Sequence, residues 1–155
     1  MIERLEGAAA MGRSAEIARL LAESFEDPSQ RWPADSVAST LATSGAMALI
    51  APGGCALLQV AAGEAELLTI AVAPPARRRG LGARLLAACL AEASERGADL
   101  LHLEVGAANV PAVALYESAG FTRTGLRPGY YAGKDGRVDA LLMSRPAGPA
   151  DGDTR

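Results

Sequence analysis

Glu104 and Tyr116 are of residue types, and at a spacing, that could do chemistry. Glu104 closes the apolar run Asp99 to Val105. Asn109, Ala112, Val113 and Tyr116 follow at steps of three and four, which is one face of a helix. That face can line a groove beside the strand end bearing the carboxylate. A carboxylate and a phenol so placed suit acyl transfer to an amine. The amine arrives as an ammonium, so a base must take a proton, and a departing thiolate needs a proton from an acid. Glu104 is the candidate base, acting through a water. Tyr116 is the candidate acid, because a phenol with an ordinary pKa of about 10 keeps its proton at neutral pH. Each residue also has a plain structural reading: Glu104 as a paired carboxylate, Tyr116 as core packing, Asn109 as a helix cap.

A second group lies upstream, in Arg77-Arg78-Arg79-Gly80-Leu81-Gly82-Ala83. It follows an apolar strand and opens a run with helical periodicity. A helix start offers backbone N–H groups without internal partners and a partial positive charge. Glycines remove Cβ atoms that would hold a ligand away, and three arginines raise the local field. Such a site suits a pyrophosphate. The glycine spacing is that of neither a Walker A loop nor a dinucleotide fingerprint. The alternative is a basic turn that caps an ordinary helix.

Trp32, Tyr130 and Tyr131 make up half of the aromatic residues. The tyrosine pair falls in a turn-rich stretch, so these rings suit a peptide clamp; otherwise they anchor loops to the core. His102, the single histidine, shares a strand face with Glu104. It either tunes or relays the Glu104 proton or is a buried, hydrogen-bonded core residue. Glu64 and Glu66 read as solvated, with Glu66 able to face an incoming amine. No His/Cys cluster has metal-ligand spacing, and no Gly-x-Ser-x-Gly or Ser-His-Asp pattern occurs.

The elements that must position these residues follow from periodicity and turn signals. Strands are expected at Ile2 to Leu5, Ala46 to Ile50, Cys55 to Val60, Glu64 to Val72, Asp99 to Val105, Phe121 to Leu126 and Val138 to Met143. Helices are expected at Ala15 to Phe25, Ala34 to Thr43, Leu81 to Ala93 and Asn109 to Ala119, the last two stopped by Gly97 and Gly120. Lys134-Asp135-Gly136 lies in a turn-forming segment between the last two strands. The result is an α/β order in which antiparallel strands precede a crossover helix and a parallel pair.

The chain has 155 residues, enough for one domain with a real core, expected over 1–146 with a disordered tail at 147–155. Half the residues are apolar but only 4% are aromatic, so Ala, Leu and Val must build that core. A formal net charge of −3 argues against general nucleic-acid binding. Cys55 and Cys89 sit in apolar runs and read as small buried residues of a reducing compartment. No apolar run approaches the ~20 residues of a membrane span, and the start shows no signal-peptide pattern, so a cytoplasmic protein is expected.

The arginine–glycine loop resembles the pyrophosphate loop of the GNAT acetyltransferases, [Arg/Gln]-x-x-Gly-x-[Gly/Ala]. The resemblance narrows at Leu103-Glu104-Val105, Asn109, Ala114-Leu115-Tyr116-Glu117-Ser118-Ala119-Gly120-Phe121, and Tyr130 through Met143. Together these are similar to the bacterial ribosomal-protein-alanine N-acetyltransferases from about Glu64 to Met143. The resemblance implies a GNAT fold, a mixed central sheet with splayed parallel strands flanked by helices. It implies acetyl-coenzyme A as cosubstrate, without a metal, held by Ile70, Ala71, Val72, by Arg77, Arg78, Arg79, Gly80, Leu81, Gly82 and Ala83, and by Asn109. It implies Glu104 as base and Tyr116 as acid. The acceptor would be a protein N-terminus beginning with Ala, on a small-subunit ribosomal protein, held by Trp32, Tyr130 and Tyr131. Related enzymes acetylate lysine, a free amino acid or a small amine, and a silent domain would only bind coenzyme A. The chain departs from the family between Phe25 and Trp32 and at Pro128-Gly129, where the family grips its peptide.

Overall fold

The computed structural model of the chain describes residues 1–133 and 136–149. Lys134 and Asp135 of the expected turn, and the expected tail from 150 onward, lie outside the described residues. The elements run β1 (Glu3–Glu6), α1 (Gly7–Met11), α2 (Ser14–Ser24), α3 (Ala34–Leu41), β2 (Ala46–Ala51), β3 (Gly54–Ala61) and β4 (Glu64–Val72). They continue with α4 (Leu81–Glu95), β5 (Leu100–Gly106), α5 (Val110–Ser118), β6 (Thr122–Gly133) and β7 (Gly136–Pro146). One seven-stranded sheet results, in the order β1-β2-β3-β4-β5-β7-β6. Every neighbouring pair is antiparallel except β4–β5.

The parallel pair is short. It joins Glu64 to Leu100, Ala65 to Leu101 and Glu66 to His102, and then stops. On its other edge β4 pairs with β3, but Leu57 faces Thr69 while Leu58 faces Leu67, so Leu68 is an extra residue. A bulge of this kind bends the strand and raises its twist. It also reverses which side chains face which side, because side chains alternate with a period of two. Ala65 and Leu67 face one core before the bulge; Ile70 and Val72 face it afterwards, while Ala71 turns to the other. The bulge lies immediately past the last β4–β5 pair, where the strands part.

Each face of the sheet has its own core. Leu81, Leu85, Leu86, Cys89, Leu90 and Ala93 of α4 pack with Val113 and Tyr116 of α5 against Leu101, Leu103 and Val105 of β5 and against β2, β3 and β7. Ile17, Leu20 and Leu21 of α2 and Val37 and Leu41 of α3 cover Ala48, Ile50, Cys55 and Leu57 on the opposite face. Cys55 and Cys89 are therefore separated by the sheet, both free and buried, and burial pushes both thiols up to about 12. The helices α1 to α3 lie over β1 to β4. The even-numbered positions of β5, His102 and Glu104, point to this same face beyond the helices and are only half buried.

The five-residue helix α1 follows β1 directly, in a stretch to which periodicity assigns no element. One expectation is corrected here. The stretch through Pro128-Gly129 is strand, not loop: β6 runs from Thr122 to Gly133. The proline and glycine are absorbed by a second bulge, in which Pro128, Gly129 and Tyr130 stand opposite Asp139 alone. Side chains of β7 supply bonds that the ladder loses there. Asp139 Oδ1 accepts the Gly129 N–H at 2.9 Å, and Arg137 Nε donates to the Gly129 carbonyl at 2.5 Å. At the other end of β7, Ala147 N–H donates to the Asp99 carbonyl and Gly148 N–H to that of Leu90.

Candidate active site

A cleft of about 340 Å³ opens where β4 and β5 diverge. Its walls include Glu66 to Ile70 of β4, Glu104 to Gly106 of β5, and Asn109, Ala112 and Tyr116 of α5. Tyr130 and Tyr131 of β6, with Phe25, Gln30 and Trp32 from the segment between α2 and α3, complete it. A larger recess, about 440 Å³, opens beside α2. Two of its three carboxylates, Glu3 and Glu16, pair with Arg13, and it contains none of the candidate residues.

Tyr116 is positioned by the way α5 ends. Gly120, at φ +94°, takes the left-handed conformation that suits glycine. The N–H of Gly120 then bonds the Glu117 carbonyl and that of Phe121 the Tyr116 carbonyl, both at 3.0 Å. This double closure brings the side chains at its two ends together. Here they are Tyr116 and Phe121, whose rings meet edge to face at 5.8 Å. The ring is thus fixed in the core, 5% exposed, while the residue still lines the cleft. Burial holds its phenol well above the usual tyrosine range.

Asn109 caps α5, its Oδ1 accepting the Ala112 N–H at 3.3 Å. The capping role and a place on the cleft wall therefore coincide. Glu104 faces the opening from β5, with its Oε2 shielded from solvent. Arg127 Nε stands 3.0 Å from that oxygen, but the angle makes this a charge contact without a hydrogen bond. His102 is half buried, and its Nε2, shielded from solvent and without a hydrogen bond, lies 3.1 Å from Glu64 on the neighbouring strand.

The start of α4 supplies the other half of the arrangement. Gly80, at φ +74°, is the N-cap residue, and no side chain caps the helix. The first turn contains no acidic residue, so its free N–H groups and partial positive charge stand unopposed. A Cβ on Gly82 would lie 3.5 Å from Leu115 of α5 and 3.8 Å from Val72 of β4. The helix start, the end of β4 and α5 therefore converge. Within the loop the arginines differ. Arg77 donates to the carbonyls of Val72 at 2.9 Å and Ser24 at 2.8 Å, which ties the loop to the end of α2. Arg78 and Arg79 are exposed. Ala71 and Leu81 turn their side chains into the two cores, so only their backbone groups can meet a ligand.

The structure thus gathers Trp32, Ile70, Glu104, Asn109, Tyr116, Tyr130 and Tyr131 around one cleft. Tyr130 and Tyr131 do so from a strand, with rings edge to face at 5.1 Å. Trp32 and Phe25 also pack against the α2–α3 core. Sequence reasoning missed Gln30 and Arg127. No local signal marks Arg127, because its approach to Glu104 depends on the pairing of β5, β7 and β6.

A family model described as the acetyltransferase (GNAT) family matches residues 15–121. The [ribosomal protein bS18]-alanine N-acetyltransferase of Escherichia coli (strain K12) is 47% identical over 91 residues, which are 59% of this chain and 62% of that one. The match therefore spans less than two thirds of that relative's length. An N-alpha-acetyltransferase of Saccharolobus solfataricus is 39% identical over 84 residues, 54% of this chain and 48% of its own. Among solved structures, the ribosomal-protein-S18-alanine N-acetyltransferase from Escherichia coli is similar over 100% of this chain and 99% of its own, with a TM-score of 0.79 and 32% identity.

The burial of Tyr116 has a measurable consequence. The folded protein holds this phenolic proton more tightly than the unfolded chain does. That contribution to stability is fully present below the unfolded value of about 10 and is lost as pH rises through the folded value. In an ultraviolet difference titration, Tyr116 should ionise last, together with loss of tertiary structure, and Tyr116→Phe should remove that late step. Ionisation of Tyr116 near its ordinary value in the folded protein would contradict this placement.

Proposed function

This chain belongs to the GNAT acetyltransferase family, and on that premise we propose that it acetylates the N-terminal α-amine of a protein, using acetyl-coenzyme A. The observation that carries the reading is the convergence of Glu104 and Tyr116 on a cleft opened by parted parallel strands, beside a helix start that lacks a cap of its own. The names of the relatives support an N-terminal alanine on a ribosomal protein as the acceptor.

The loop fits the phosphates of such a cosubstrate: the Gly80–Ala83 N–H groups and the exposed Arg78 and Arg79 present positive charge where a side chain at Gly80 or Gly82 would intrude. Acetyl-coenzyme A supplies an activated acyl group on a sulfur that can leave. Glu104 accepts the proton that the acceptor ammonium must lose, through a water. Tyr116, kept protonated by burial, donates toward the departing sulfur. Trp32, Tyr130 and Tyr131 give the peptide apolar walls with polar edges. The exposed edge of β4 past Glu66 adds backbone groups that seek partners.

Three substitutions separate these roles. Gly80→Asp places a carboxylate at the uncapped start of α4, where it takes the helix N–H groups for itself. Calorimetry should show coenzyme A binding weakened by more than tenfold, about 1.4 kcal/mol, in a protein that still folds; unchanged affinity would remove the loop from the site.

Glu104→Gln should keep coenzyme affinity and lose turnover by roughly 10²–10⁴-fold, with partial recovery at high pH, where free amine is plentiful. Turnover equal to the parent at neutral pH would exclude Glu104 as base.

Tyr116→Phe deletes one hydroxyl and keeps the ring against Phe121. Single-turnover transfer to an alanine-starting peptide should slow by about one to three orders of magnitude. A stable variant with an unchanged chemical step would leave Tyr116 as packing. Peptides with a blocked N-terminus and a free lysine, run beside these, decide between α-amine and side-chain transfer.

A further inference from the structure

We propose that Arg127 is a built-in stand-in for the acceptor's ammonium: its guanidinium plugs a cation site formed by Glu104 and Tyr130, and an acceptor, with the water that carries its proton, must displace it to reach the base. The inference rests on the reading of Glu104 as the base and adds a residue that sets the amine affinity of that site.

Three observations carry it. The Arg127 Nε lies 3.0 Å from Glu104 Oε2, an oxygen shielded from solvent that lacks a hydrogen bond. The same guanidinium carbon stands 5.3 Å from the centre of the Tyr130 ring. A carboxylate on one side and an aromatic face on the other are the two surfaces that attract a cation, whether guanidinium or ammonium. Finally, the guanidinium is loosely held while its surroundings are not. The Arg127 side chain is 53% exposed, and among the described residues it makes no hydrogen bond. The bulge that begins after it is clamped from β7 by Asp139 and Arg137, which bond the backbone of Gly129 and Tyr130. Tyr130 therefore stays in place when Arg127 swings out.

Two cations cannot occupy one carboxylate face at once. The observed affinity for an amine is then reduced by the fraction of molecules in which the site stands open. Removing the internal cation should raise amine affinity, and it should do so only for ligands that bring a positive charge.

The test is calorimetric binding of an alanyl tripeptide amide to the protein without cosubstrate. Arg127→Met, which keeps the length and loses the charge, should bind it about three- to tenfold tighter, as an open fraction of about 10–30% requires. Arg127→Lys should bind within about twofold of the parent. The N-acetylated tripeptide should show no gain, and combining Arg127→Met with Glu104→Gln should abolish the gain. In turnover, Arg127→Met should lower KM by the same factor and leave kcat within about twofold. Equal or weaker amine binding by Arg127→Met, or an equal gain for the capped peptide, overturns the plug. A parent protein that acetylates no peptide amine, while Arg127→Met still gains amine affinity, overturns the transferase reading and leaves the plug standing.

Discussion

Backbone pairing between β4 and β5 stops after three residue pairs, and the rest of the molecule is arranged around the gap that follows. The cause is one surplus residue, Leu68, on the β3 side of β4. A continuous ladder would have satisfied the backbone groups of β4 on both edges and left nothing to bind. The bulge turns the strand away instead, so the N–H and C=O groups after Glu66 lose their β5 partners and must find others. It also reverses the facing of β4 side chains, so that Val72 meets Gly82 at the head of α4 while Ala71 joins the opposite core.

Helix ends finish what the gap begins. At the head of α4 the backbone dictates a glycine at φ +74°, and no side chain competes for the first-turn N–H groups. At the tail of α5 the reverse holds: Gly120 and Phe121 satisfy the last carbonyls, and in doing so they clamp Tyr116. One terminus is left open to receive charge, and the other is closed to fix a phenol. Both outcomes follow from the same accounting of unpaired backbone groups at helix ends.

Charge is distributed unevenly in a chain that is acidic overall. Arg13 binds Glu3 and Glu16, and Arg96 at the end of α4 binds Glu6 of β1 and Glu92 one turn back; the exposed members of this set contribute little to stability. Arg77 spends its donors on backbone carbonyls and so ties the basic loop to α2. Arg127 differs from all of these, because its partner is the carboxylate at the centre of the cleft. That carboxylate is accessible at all because the helices of its face stop short of β5.

The sequence by itself determined the order of the elements apart from α1, and their approximate ends apart from that of β6, since periodicity, Gly97 and Gly120 are local signals. Glu104, Tyr116 and Asn109 were legible for the same reason: strand and helix spacing fix relative faces over short stretches. The basic loop was legible as a helix start, though not that Arg77 is occupied by backbone while Arg78 and Arg79 are exposed. What only the tertiary structure decided depends on pairing between distant strands. Leu68 looks like any other strand residue until β3 sets its register. Pro128-Gly129 reads as a loop until Asp139 and Arg137 supply its missing bonds. His102 turns to Glu64 rather than Glu104 because β4 lies beside it, and Arg127 reaches Glu104 only across β7. Local sequence constrains dihedrals and faces; the meeting of charges far apart in the chain is set by strand register, which no single segment encodes.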